Sequence, residues 1–197
     1  RCALRTIRGR APVPVAAPSR PGRYVDGKCN GMTRMFATWT VGAELGHADG
    51  FDWEQTPDSV VAELARRLTD PRVLDGRTFF SCGVWALPEG ADNITEVAAD
   101  DPARATYMQV GGRCTDLVLE VRVTDEEGYS HYAVAREPVG DPGAWTELFW
   151  DAGGGSTCTV RCHPEEVLTG EQAVPFFRDY VLRGALPRPE LLRCIDV

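Results

Sequence analysis

The chain has 197 residues, 43% of them hydrophobic, and a formal net charge of −8. That length holds one full-sized domain with its own core plus an appendage, rather than two complete domains. No run approaches the ~20 apolar residues of a membrane span and the first residues lack the apolar stretch of a signal peptide, so the expected location is the cytoplasm, with no membrane partner.

Charge is unevenly placed. Residues 1–31 hold six arginines and Lys28 against Asp26 alone, a net of +6, which leaves −14 for residues 32–197. The first 31 residues are rich in Pro, Arg and Ala without sustained periodicity and are expected to form a disordered basic extension. Residues 32–197 are expected to form a single α+β domain. The chain does not begin with Met, whereas Met32 and Met35 open the first patterned segment. One hypothesis is that translation starts there; mass spectrometry that finds residues 1–31 in the native protein sinks it. Within this extension Gly22-Arg-Tyr-Val-Asp-Gly27-Lys28 imitates a phosphate-binding loop. Its context rejects that role: the preceding stretch is Pro-rich rather than a strand, and Cys29 stands where a Ser or Thr should meet magnesium.

The patterned elements follow in order. Arg34 to Val41 alternates Met35, Ala37, Trp39 and Val41 against Phe36, Thr38 and Thr40 and predicts a strand. A polar loop containing His47 leads to Thr56-Pro57, a helix entrance with Pro in its tolerated first position, and Val60, Val61, Leu64 and Leu68 make the apolar stripe. Arg77 to Leu87 predicts a strand with Phe80, Cys82, Val84 and Ala86 on one face. Glu89 to Arg104, carrying Asp92, Glu96, Asp100 and Asp101, reads as an exposed acidic loop.

Tyr107 to Val110 predicts a short strand ended by Gly111-Gly112, and Asp116 to Val123 pairs with Tyr129 to Ala135 in a hairpin. His131 lies on the second of these strands without a sequence-level partner, as a surface or packed imidazole. Thr146 to Trp150 and Thr157 to Cys162 make another pair. Thr169 and Gln172 form a capping box, the first residues of a helix whose stripe is Ala173, Phe176, Phe177, Tyr180 and Val181 and whose end is Gly184. Pro175, beyond the first turn, predicts a bend or a late start. Glu190 to Val197 offers a last short strand. The fold class expected is α+β, a mainly antiparallel sheet of about six to eight short strands packed with two amphipathic helices.

Catalytic and metal chemistry is sparse. The seven cysteines, Cys2, Cys29, Cys82, Cys114, Cys158, Cys162 and Cys194, are odd in number and lack a framework spacing, so reduced thiols are expected. Cys158 and Cys162 share a strand face with Val160 and read as small buried hydrophobes. A metal site from Cys158, Cys162 and His163 fits no standard zinc spacing. His163-Pro-Glu165 is half of a zinc-deaminase signature whose Pro-Cys-x-x-Cys half is missing. Gly153-Gly-Gly-Ser-Thr157 lacks the glycine of a nucleophile elbow, and no His-Glu-x-x-His occurs. No cofactor is expected, nor is enzymatic activity; the alternative is a small hydrolase or nuclease using dispersed carboxylates.

The order of elements from Tyr107 to Pro187 resembles immunity protein family 1 of bacterial polymorphic toxin systems. The strand Tyr107-Met-Gln-Val-Gly-Gly112 precedes a hairpin, then come Leu148-Phe-Trp150 and a glycine turn, the strand to Cys162, and Val167 leading into a helix that closes on Gly184-Ala-Leu-Pro187. The Thr56 to Leu68 helix and the Phe80 to Leu87 strand suit the N-terminal half. The resemblance implies a monomer that neutralises a cognate toxin in a 1:1 complex, the toxin being basic and of the nucleic-acid deaminase type. An acidic domain suits that task, because carboxylates can occupy a cleft built for phosphates while repelling nucleic acid itself. The candidate contacts are Asp100 and Asp101, the hairpin tip Asp125, Glu126 and Glu127, Asp151, and the aromatic anchors Trp145 and Trp150, of which Trp150 is the better core candidate.

Overall fold

The computed structural model describes residues 35–42, 46–49, 56–125, 128–153 and 156–195. Its elements run β1 (Phe36–Gly42), β2 (Gly46–Asp49), α1 (Pro57–Thr69), β3 (Phe79–Ala86), α2 (Pro102–Ala105), β4 (Tyr107–Arg113), β5 (Asp116–Asp125), β6 (Gly128–Val134), β7 (Thr146–Gly153), β8 (Ser156–Cys162), α3 (Gly170–Arg183) and β9 (Leu192–Cys194). Seven strands form one antiparallel sheet in the order β2-β1-β3-β4-β5-β6-β9, and β7-β8 form a separate hairpin. The fold is α+β. The basic extension and its imitation phosphate loop lie outside the described residues. Among the described residues no helix is long and apolar enough to cross a membrane.

Local chemistry defines both long helices. The Thr56 hydroxyl accepts from Ser59 N at 3.1 Å while Ser59 Oγ accepts from Thr56 N at 2.9 Å, and Thr169 and Gln172 make the same reciprocal pair at the head of α3. Gly184, at φ 64°, takes the left-handed conformation that ends α3. The late start predicted from Pro175 does not occur, since α3 begins at Gly170 and runs through an exposed Pro175. Val60, Val61, Leu64 and Leu68 of α1 and Ala173, Phe177, Tyr180 and Val181 of α3 are buried against Val84, Met108, Val110, Leu119, Val121 and Val134 on one sheet face. Phe176 is only partly buried at the margin.

The opposite sheet face is covered in two places. At one end the β7-β8 hairpin sets Leu148, Trp150, Cys158 and Cys162 on Phe80 and Val118. At the other, Leu87, Ala91, Ile94 and Val97 pack with Trp85 and Ala37. Residues 89–104 are therefore not a simple exposed loop: most of their polar side chains face solvent while buried Ala91, Ile94 and Val97 pin them to the sheet.

Three further sequence expectations change for physical reasons. Phe80 leaves the face of Cys82 and Val84 because β3 bulges there, Val41 pairing with Ser81 and Gly42 with Phe79. β4 continues through Gly111 and Gly112 to Arg113, and Gly112, at φ 129°, lies so close to Leu117 that a Cβ would stand 2.8 Å from its Cα. The segment of His47 forms β2, paired with β1. Cysteine chemistry is mixed: Cys82, Cys114, Cys162 and Cys194 are unbridged, whereas Cys158 is disulfide-bonded, contrary to the expectation of reduced thiols throughout.

Candidate functional site

Two of the acidic candidates, Asp100 and Asp101, lie at one end of the sheet. Asp101 caps α2, its carboxylate accepting from Ala103 N at 2.8 Å, and the short helix ends where Thr106 Oγ1 accepts from Thr124 N at 3.2 Å. That bond ties the acidic segment to the last turn of β5, one residue before Asp125, which pairs with Gly128. Exposed Glu89, Asp92, Glu96 and Asp100 share the segment with half-buried Asp101. Glu96 also holds its loop closed, accepting from Asp92 N at 2.9 Å. These carboxylates are displayed on an anchored surface and do not lie on a free coil. Glu126 and Glu127 lie outside the described residues.

Trp150 and Asp151 lie at the other end, near Arg113 rather than Tyr107. The separation is roughly 20 Å, from the ~3.3 Å rise of each β4 residue. Alternation along β7 decides their roles. Leu148 and Trp150 point inward, Trp150 being 2% exposed, while Phe149 points outward at 60% exposure. Asp151 is exposed and, with Phe149, Asp75, Arg77 and Arg113, lines a shallow cavity of about 420 Å³. Arg113 Nη2 donates to Phe149 O at 2.9 Å and Asp151 N donates to Gly76 O at 3.1 Å, locking the hairpin to the sheet. Partial burial pushes the Asp75 carboxyl up, but hydrogen bonds from the backbone N–H groups of Arg77, Phe79 and Thr78 outweigh it and hold the group below its ordinary range.

Trp145 occupies a third position. Its ring stacks on His163 at 3.9 Å between centroids, with the Arg161 and Arg193 guanidinium carbons 4.6 and 5.3 Å from the ring centroid, and it remains 39% exposed. The His163-Pro-Glu segment is used structurally here. His163 Nδ1 lies 2.7 Å from Ala144 O, and buried Glu166 accepts from His163 N at 2.8 Å and from Arg193 Nε at 2.7 Å. Among the described residues no three His, Cys, Asp or Glu side chains converge as metal ligands.

The chain matches no family model, no curated protein and no solved structure. Its site rests on its own geometry.

Two groups escaped sequence reasoning. Phe149 is an exposed anchor beside the cavity, and the alternation of Leu148 and Trp150 is the signal that reveals it. On the sheet face opposite the helices, Gln109 Nε2 donates to Glu120 Oε2 at 2.8 Å, and His131 Nε2 lies 3.3 Å from the same oxygen. The Arg122 guanidinium lies 3.6 Å from the Tyr129 ring centroid and 5.9 Å from that of Tyr107. Burial pushes the Tyr107 hydroxyl above its ordinary value against the pull of a hydrogen bond from Arg122. Glu120 and His131 are almost fully buried, so His131 is packed rather than a surface imidazole.

Proposed function

We propose that the protein is an immunity protein: a non-catalytic inhibitor that binds a basic, nucleic-acid-acting toxin of the deaminase type in a 1:1 complex, as a cytoplasmic monomer. The observation that carries this reading is the acidic end of the sheet. Asp92, Glu96, Asp100 and Asp101 are held near the end of β5 by the Thr106–Thr124 bond and by the buried Ile94 and Val97. Fixed carboxylates lose little freedom on binding and steer a basic partner toward them, while the −14 carried by residues 32–197 disfavours nucleic acid. Exposed Trp145 and Phe149 supply aromatic surface of the kind that carries binding energy. The dispersed-carboxylate hydrolase is the weaker reading, because Asp100 and Asp151 sit at opposite ends of the sheet instead of flanking one bond.

Co-expression with the toxin encoded beside the gene tests the proposal. Growth should be restored, and size-exclusion chromatography should recover a 1:1 complex. Reversing Asp92 and Asp100 to Lys should slow association about tenfold or more at low salt, with a smaller effect at high salt. Neither rescue nor complex formation would overturn it.

A further inference from the structure

Cys158 on β8 is 4% exposed and disulfide-bonded. The chain has seven cysteines, of which Cys82, Cys114, Cys162 and Cys194 are unbridged. Elimination leaves Cys2 and Cys29, both in the basic extension outside the described residues. Whichever of them is the partner, the bridge ties that extension to the β7-β8 hairpin.

Reach selects between the two. Thr38 and Thr40 accept from Arg67 of α1, so alternation along β1 puts Met35, Ala37, Trp39 and Val41 on the sheet face opposite the helices. Met35 packs with Leu87, Ala91, Ile94 and Val97 at one end of that face, and Val41 packs at the other with the cluster that contains Cys158. Six residues lead from Met35 to Val41, about 20 Å at the rise of a strand. Six residues also lead from Met35 back to Cys29, so an extended segment doubled back along β1 delivers Cys29 beside Val41 and Cys158. Cys2 lies 33 residues before Met35, and effective concentration falls once a tether outgrows its span. We propose that Cys29 and Cys158 form the bridge, and that residues 30–34 cross the sheet face over Trp39. Trp39 stands midway between Met35 and Val41 and is 4% exposed.

The bridge is a redox latch on the extension. A small-molecule disulfide of the oxidised glutathione class closes it: one cysteine thiolate attacks, expelling a glutathione thiolate, and the second cysteine attacks the mixed disulfide and expels the other. The two protein thiols lose two electrons and two protons, and the small disulfide is reduced to two thiols. An excess of reduced thiol runs the exchange backwards and frees the segment. This pairing does not rest on the toxin reading, because it is tested on the chain alone.

The test uses the full chain treated with oxidised glutathione. Free thiols are blocked with iodoacetamide in denaturant, and trypsin digestion without reductant is read by mass spectrometry. Peptide 137–161, which carries Cys158, should appear joined to peptide 29–34. Its appearance joined to peptide 2–5, or with Cys158 alkylated, would overturn the pairing. Hydroxyl-radical footprinting reads the path over the sheet. Trp39 oxidation should rise severalfold in Cys29→Ser and in the parent treated with dithiothreitol, and stay at the parent level in Cys2→Ser. Equal Trp39 oxidation in Cys29→Ser and the oxidised parent would overturn the crossing of residues 30–34 over that face.

Discussion

Gly170, the first residue of α3, lies against the backbone carbonyl of Leu68 in the last turn of α1, with no room for a side chain. Its own N–H donates to Cys114 O at 2.7 Å, so the residue cannot retreat without breaking its tie to the sheet. Gly170→Ala should therefore push the two helices apart and cost about 2–3 kcal/mol in urea unfolding. Gly90 is the control. It has φ 84° but nothing within 4 Å of a built Cβ, so Gly90→Ala should cost only about 1 kcal/mol, the backbone strain alone. Equal losses at the two sites would show that the helix contact yields freely.

Local signals account for what was legible in the chain. The Thr56-Pro57 helix entrance, the capping box at Thr169, the stripe at Val60, Val61, Leu64 and Leu68, and the αL stop at Gly184 involve residues within a few turns of one another, so pattern alone locates α1 and α3. β2 and the packed acidic segment depend on distant partners: Ile94 and Val97 follow no period, and only the sheet beneath them explains their burial. Glycine punctuation misled at Gly111-Gly112, where close strand packing needs the missing side chain. The same holds for the site. The acidic segment reaches the end of β5 only through the bond from Thr124 N to Thr106 Oγ1, and the contact between Glu120 and His131 depends on a strand register that sequence does not specify.

The Glu166–Arg193 pair gives a second prediction. Glu166 is 1% exposed and accepts two bonds from Arg193, at 2.7 and 2.8 Å, joining the segment before α3 to β9 on the sheet edge. A buried carboxylate that loses its cation is left uncompensated, so Arg193→Met should cost about 3 kcal/mol or more. The double variant Arg193→Met with Glu166→Gln should recover part of that loss. A double variant no better than the single would mean that Arg193 acts through its packing on Trp145 instead.

Acid should weaken the fold through the carboxylates near the C-terminal end of α1. Hydrogen bonds from Arg72 hold the Asp70 carboxyl at about 2, below its ordinary 3.8, and the hydrogen bond from Arg66 lowers Glu63 from 4.5. Groups depressed in the folded state contribute stability that is complete above their unfolded values and lost as pH falls toward the folded ones. Urea midpoints should therefore be level above about pH 5 and drop between about pH 4 and pH 2. Asp70→Asn should flatten part of that drop, and added salt should mimic it because the Asp70–Arg72 pair is near the surface. A variant whose acid limb superimposes on the parent's would remove Asp70 from the account.

Thiol chemistry separates the cysteines by burial. Desolvation pushes the Cys82 thiol up to about 12 and Cys162 to about 11, so neither supplies the thiolate that alkylating reagents need. Cys194 is exposed on β9. Brief iodoacetamide treatment of the folded chain, read by peptide mass spectrometry, should mark Cys194 well before Cys82 and Cys162, which stay untouched until the chain is unfolded. Cys158 should resist even then, reacting only after a reductant opens its disulfide. Labelling of Cys158 in unfolded, unreduced protein would mean that the bridge is absent from protein kept in a reducing compartment, the state that a cytoplasmic location favours.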